Sequence, residues 1–351
     1  MSGWENNGRT EAAYPAGPRT AQRLSIAAMT PSRDPTAAGI AEAAAKIAEI
    51  LPPTPLLPLE IEGQTIWCKA ESLQPIGAFK IRGGWHRLTA LSAEERARGI
   101  VGVSSGNHAQ GVAWAARRLG IAATIVMPVD APAVKLANTR ALGAEVVLYD
   151  RPGGEDRDEV AERVCAERSA TLVHAYGDPW VIEGQGSAGI EIARQMDALG
   201  LGGPDLIVAP CGGGGLTAGL ALACPDAAII PVEPEGWDDV CRSLASGTIQ
   251  SVTADAPPTP CDSLQTMATR PINFRVLRER CPFGLVVSPA EVRAAQRLAF
   301  NRLHLVIEPG GAAALAAVLA GKVDLKPRTA VVLTGGNTDA ADFAAVLTGD
   351  D

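Results

Sequence analysis

Short apolar runs recur along most of the chain, and between them apolar residues return every three or four positions. The runs lie at 65–67, 100–103, 123–127, 146–148, 171–173, 206–209, 228–232, 285–287 and 330–333. Each is too short for a helix. Most are apolar at consecutive positions, as in strands buried on both faces. Residues 41–51 predict an alanine-rich helix ended by Pro52-Pro53. Ser288-Pro289-Ala290-Glu291 is a capping box with proline at the first helical position. A helical pattern also starts near Lys80 and runs through Trp85 and Leu88. Strands alternating with helices predict an α/β fold with mainly parallel sheets and right-handed crossovers. Residues 1–37 are rich in Gly, Pro, Ser, Thr and Arg, lack periodicity and predict a flexible tail.

Composition narrows the partners. A chain of 351 residues, 47% apolar, suits two domains with sizeable cores. The net charge of -8 argues against nucleic-acid and membrane-surface partners. It leaves room for a phosphate, since amides at a helix mouth bind anions without net charge. No apolar run reaches membrane-spanning length and no secretory apolar region opens the chain. Seven cysteines, an odd number without a C-x-x-C pair, argue against a disulfide framework or a zinc site and predict a reducing cytoplasm.

Four segments carry candidate chemistry. Around Lys80, a strand at 65–67 leads through Pro75 and Gly77 into Ala78, Phe79 and the start of a helix. An amine held there against an apolar wall loses hydration and becomes a nucleophile for carbonyls. Ser104-Ser105-Gly106-Asn107-His108 follows a strand and opens a helix, as an anion site or as simple N-capping. Gly212, Gly213, Gly214, Gly215 and Leu216 also follow a strand, and successive glycines let backbone wrap an anion closely. Thr334-Gly335-Gly336-Asn337 closes the last strand.

In this order the motifs resemble the fold type II pyridoxal-phosphate enzymes, in the branch of serine/threonine dehydratases and serine racemase. The resemblance extends from about Thr54 onward. It implies a tryptophan synthase β-like fold of two three-layer α/β/α domains. Residues 38–98 and 177–351 would form a large cofactor domain, with a small domain inserted at 99–176. It implies that Lys80 carries pyridoxal 5'-phosphate as an internal aldimine beside Phe79. Asn107 would face the cofactor's 3-hydroxyl. Gly212, Gly213, Gly214, Gly215 and Leu216 would hold its phosphate, and Thr334 would meet its ring nitrogen. Ser104, Ser105, Asn107 and His108 would hold the substrate carboxylate, with Ser105 opposite Lys80 at Cα. A neutral partner for the ring nitrogen suits β-elimination. Glu233, the Trp237 carbonyl and Asp239 resemble the branch's Mg2+ or Ca2+ site; their other reading is helix capping.

The implied activity is an ammonia-lyase acting on a small 3-hydroxy amino acid, L-threonine or L-serine before a hydroxyaspartate, in a cytoplasmic homodimer. Ile76 and Ala78 stand where the family often has hydroxyls, which tilts the substrate toward an apolar or absent β-substituent. Arg82 is the one cation of this stretch. No regulatory domain is expected after the last motif. Serine racemase activity is the same-family alternative, with Ser105 returning a proton to Cα, and two readings of other classes stand beside it. Gly213, Gly215 and Ala218 also fit G-x-G-x-x-A, with Glu233 at the end of the next strand, so a nicotinamide oxidoreductase is open. So is a non-catalytic homologue.

Overall fold

The computed structural model describes residues 33–104, 106–151, 153–253 and 255–349. Its strands are β1 (Leu56–Ile61), β2 (Gln64–Ala70), β3 (Ile100–Val103), β4 (Ala123–Pro128), β5 (Glu145–Tyr149), β6 (Thr171–Val173), β7 (Leu206–Pro210), β8 (Ala228–Pro234), β9 (Leu285–Val287) and β10 (Thr329–Leu333). One sheet has the order β1-β2-β10-β7-β8-β9 and the other β5-β4-β3-β6. Every pairing is parallel except β1 with β2. The two innermost strands of the larger sheet, β10 and β7, are buried along their whole length, which is why their sequences are apolar without alternation.

β1 escapes the sequence pattern for a physical reason. Pro58 interrupts its apolar run and has no amide to donate, so proline is confined to edges. β1 is such an edge, joined to β2 by Glu62 and Gly63, both at positive φ, in the manner of a tight hairpin turn.

Helices cover both faces of each sheet. On the larger sheet, Pro309–Leu319 packs into one core, while Pro179–Ala198 and Gly215–Ala223 pack into the other. On the smaller, Asn107–Leu119 covers one face and Arg157–Arg168 the other. The result is two three-layer α/β/α units. Helices Lys80–Thr89 and Asn107–Leu119 lie against each other, with Trp85 and Trp114 edge to face at 5.8 Å.

Of the tail expected at 1–37, residues 1–32 lie outside the described residues. Arg33 onward belongs to the fold. The Arg33 guanidinium pairs with the buried Glu183 carboxylate and lies over the Trp180 ring at 4.1 Å. Thr36 caps helix Ala37–Ala48, which starts and ends earlier than the expected 41–51. The capping box at Ser288 and Glu291 forms as expected and opens helix Pro289–Leu298.

Helix Lys80–Thr89 is anchored by charge. Arg82 is fully buried and forks onto Glu71 and Glu191, and Lys69 adds Glu191, Gln195 and the Thr54 carbonyl. Every charge there has an opposite partner, which is the condition for burying it.

Candidate active site

In open α/β sheets, ligands bind beyond the carboxyl ends of the strands. Here β2 leads toward Lys80, β3 toward Ser104, β7 into the glycines and β10 into Thr334. Phe79, Lys80, Ser104, Asn107, His108, the glycine segment with Leu216, and Thr334 all line one cleft, open at its mouth. Ser105 lies outside the described residues.

The loops at 77–80 and 334–337 are joined by backbone. Phe79 N–H donates to the Thr334 carbonyl at 3.1 Å, Gly336 N–H to Gly77 at 2.8 Å, and Ala78 bridges Gly335. The Asn337 amide donates to the Ile76 carbonyl at 2.9 Å and to Asn107 Oδ1 at 2.8 Å. Lys80 is thereby fixed at the first turn of its helix, where Nζ donates to the Ala175 carbonyl at 2.9 Å. Burial pushes its amine down to about 8. Roughly one amine in ten is then unprotonated at pH 7.

Two helices present uncapped N-termini to the cleft. Asn107–Leu119 starts after Gly106 with no side-chain cap among the described residues, so capping by Ser104 does not use up its amides. Ser104 Oγ instead accepts from Gly106 N–H at 3.0 Å. Gly215–Ala223 starts after Gly214, also without a side-chain cap. Gly214 is left-handed at φ 86. Gly213 is needed for another reason: a Cβ there would lie 2.3 Å from the Tyr176 ring. Free amides with helix dipoles behind them are anion sites.

Glu233 does not serve the dinucleotide fingerprint. It is wholly buried, and its two oxygens accept from Val240 and Cys241 N–H at 3.1 and 2.7 Å. A ribose in the cleft would be out of its reach. Asp239 is buried beside it; Oδ2 accepts from Thr269 N–H at 2.8 Å and Oδ1 has no partner. Burial pushes Glu233 up to about 8 and Asp239 up to about 7. Trp237 turns its indole N–H to the Pro257 carbonyl. Among the described residues no group of three or more His, Cys, Asp or Glu side chains is placed to hold a metal. All seven cysteines are free.

Several lining residues were not legible in the sequence. Lys135, Arg157, Tyr176, Asp262 and Glu308 all face the cleft. Lys135 pairs with Asp262, and Glu308 accepts from the Asn107 amide. Lys135 and Arg157 look locally like helix-start residues; only the docking of the smaller sheet brings them to Lys80. Conversely, Ile76 and Ala78 are buried against Ala43, Ile47 and Leu51, and neither lines the cleft. Their missing hydroxyls therefore say nothing about the substrate. Arg82 faces away, into its buried carboxylates.

Comparison with known proteins agrees with this geometry. Residues 47–335 match the family model described as pyridoxal-phosphate dependent enzyme. The chain belongs to that family. An L-threo-3-hydroxyaspartate ammonia-lyase of Pseudomonas sp is 40% identical over 82% of this chain and 89% of its own length. A solved threonine deaminase of T.th. has a TM-score of 0.80 at 42% identity, covering 87% of this chain and 99% of that one. Maize serine racemase has a TM-score of 0.82 at 32% identity, covering 91% and 98%. The fold is thus that of fold type II pyridoxal-phosphate enzymes. The cleft suits that cofactor. It pairs a lysine of depressed basicity with a glycine cradle that a single Cβ would fill, and two uncapped helix ends face it.

Proposed function

We propose that this chain eliminates water from a 3-hydroxyaspartate, giving a 2-oxo dicarboxylic acid and ammonia. As a member of its family it is a pyridoxal-phosphate-dependent lyase of the ammonia-lyase type. The observation that carries the substrate class is Arg157, a cation from the smaller α/β/α unit that lines the cleft and the small pocket beside it. A β-carboxylate buried without a cation costs several kcal/mol. Arg157 Nε pairs with Asp158 Oδ1 at 3.3 Å, and the rest of its guanidinium would meet the carboxylate. This replaces the preference for threonine or serine, which rested on Ile76, Ala78 and Arg82. The relative named for 3-hydroxyaspartate supports the same choice.

When bound, the cofactor draws electrons from Cα. Lys80 would hold it covalently, and the glycine segment with Leu216 would cradle its phosphate. Asn107 has its Oδ1 tied to Asn337 and one amide hydrogen tied to Glu308, so the other hydrogen is left for the ring's oxygen. Thr334 would meet the ring nitrogen without forcing a proton onto it. The amides at Asn107 and His108, with Ser104, would hold the α-carboxylate. Lys80, released by substrate and partly neutral, would take the Cα proton as general base. The β-hydroxyl leaves as water, and the enamine product hydrolyses to the oxo acid and ammonia. We place the large unit at 38–98 with 177–351 and the inserted one at 99–176.

The test is a comparison of kcat/KM for L-threo-3-hydroxyaspartate, L-threonine and L-serine. We expect at least about a tenfold preference for the dicarboxylate, lost in Arg157→Gln. A preference for threonine or serine would overturn the substrate assignment.

Glu233 and Asp239 would hold Mg2+ or Ca2+ with the Trp237 carbonyl. Asp239 Oδ1 is the buried, unpartnered oxygen such an ion needs. Binding to the native state alone raises stability by about 2.7 kcal/mol at a hundredfold excess over Kd. Thermal melts with Mg2+ and with chelator should therefore differ, and Asp239→Asn should erase the difference. Melts that coincide for the parent chain would leave both acids as helix-capping groups.

A further inference from the structure

His108 and Lys80 are fastened to the same short segment. His108 Nε2 lies 2.9 Å from the Val173 carbonyl, and Lys80 Nζ donates to the Ala175 carbonyl at 2.9 Å. Their helices touch at the same level. A Cβ on Gly111, one turn beyond His108, would lie 2.7 Å from the Lys80 carbonyl oxygen. Both side chains line the cleft.

A carbonyl only accepts, so His108 Nε2 must carry the hydrogen. The second ring nitrogen of the neutral imidazole is then an acceptor and cannot donate. That nitrogen, Nδ1, has no hydrogen-bond partner among the described residues, although His108 is only 2% exposed. The neighbouring imidazole cannot substitute for it. His174 Nδ1 already accepts from Gly177 N–H at 2.9 Å and from Tyr176 N–H. Burial, with the Lys80 charge beside it, holds His108 far below the usual histidine range, so it stays neutral across the working pH.

We propose that His108 is a positioning residue for the Lys80 amine: its Nδ1 accepts a hydrogen bond from that amine and leaves the amine's lone pair facing the cleft. The stereochemistry follows from counting. A neutral amine has two N–H bonds and one lone pair. With one hydrogen on the Ala175 carbonyl and the other on His108 Nδ1, the lone pair has one direction left. An imidazole locked as acceptor cannot compete for it. In the arrangement described, only the Ala175 bond is made. The second forms when Lys80 is released from its covalent partner and its side chain turns. The inference rests on Lys80 being the general base of the proposed reaction.

The test uses the holoenzyme of His108→Phe, which removes the acceptor, and His108→Gln, whose amide can donate to Val173 and accept at Oε1. Three quantities are read: the visible band of the bound cofactor, kcat against pH, and exchange of the Cα hydrogen of L-aspartate with deuterated water. L-Aspartate has no β-hydroxyl to lose, so exchange reports proton transfer alone. His108→Phe should keep the band and the cofactor on Lys80, while kcat and exchange fall together by about tenfold. KM should change little. An acceptor stabilises the ammonium form, so its loss should move the acid limb of kcat to lower pH. The other charged groups lining the cleft, Lys135, Arg157, Asp262 and Glu308, are unchanged in the variant. His108→Gln should recover most of the rate. Parental exchange and an unmoved acid limb in His108→Phe would overturn the proposal. So would a fall in rate that only tracks loss of band and melting temperature. If borohydride fixed the cofactor elsewhere than Lys80, the proposed reaction would fail first, and that result is separable from these.

Discussion

Lys80→Ala should purify without the visible band of bound cofactor and without turnover. Two lysines line the cleft, Lys80 and Lys135. Lys135 is committed to Asp262 as an ion pair, which ties up its amine. Among the described residues Lys80 has no acidic partner, its Nζ donating to a carbonyl, and burial depresses its basicity. On the proposed function, the substitution would remove both the covalent anchor and the base. A positioned general base alone is worth about 10²–10⁴ in rate, so the loss should exceed that range. The check is a spectrum, an ammonia assay, and a peptide map of the parent chain after borohydride reduction. Cofactor fixed to Lys135 or another lysine would remove Lys80 from its role.

Gly213→Ala should weaken cofactor binding by about ten- to a hundredfold. The added methyl would sit 2.3 Å from the Tyr176 ring. Tyr176 cannot step aside freely. Its ring packs edge to face on His174 at 4.6 Å, its carbonyl accepts from the Asn273 amide at 2.9 Å, and its hydroxyl donates to Ala268. The glycine segment must therefore shift away from the phosphate position. Overpacking of this kind costs about 1–3 kcal/mol, and each 1.4 kcal/mol is tenfold in affinity. Titration of the visible band with added cofactor measures it. Tyr176→Ala in the same chain should recover part of the loss. Unchanged affinity in the single variant would mean that the segment does not hold the phosphate.

Much of the site was visible in the order of residues because its parts are local. A strand, a glycine-bearing turn and a helix start make a complete anion site within a few residues, and two such units occur here. Lys80, Asn107, the glycines and Thr334 could be named without knowing what packs on what. Other inferences needed direction as well as position. Ile76 and Ala78 flank Lys80 in sequence but point into the core with Ala43 and Ile47. Arg82 is two residues from Lys80 yet turns to Glu71 and Glu191. Side chains two apart at a helix start face different ways, so nearness along the chain is no guide to the cleft.

What the sequence determined by itself was the alternation of buried strands and helices, hence the parallel α/β architecture, and the identity of each turn motif. Those depend on periodicity and on backbone chemistry read within about ten residues. Tertiary structure alone decided which charges line the cleft. Arg157 and Lys135 reach the cleft because the smaller sheet docks beside Lys80, across long separations in sequence. It also decided that Gly213 answers to Tyr176, and that Glu233 turns its oxygens to the Val240 and Cys241 amides, away from the cleft. Each of these is a contact between distant segments. Local propensity carries no record of such contacts, because packing between elements sets them.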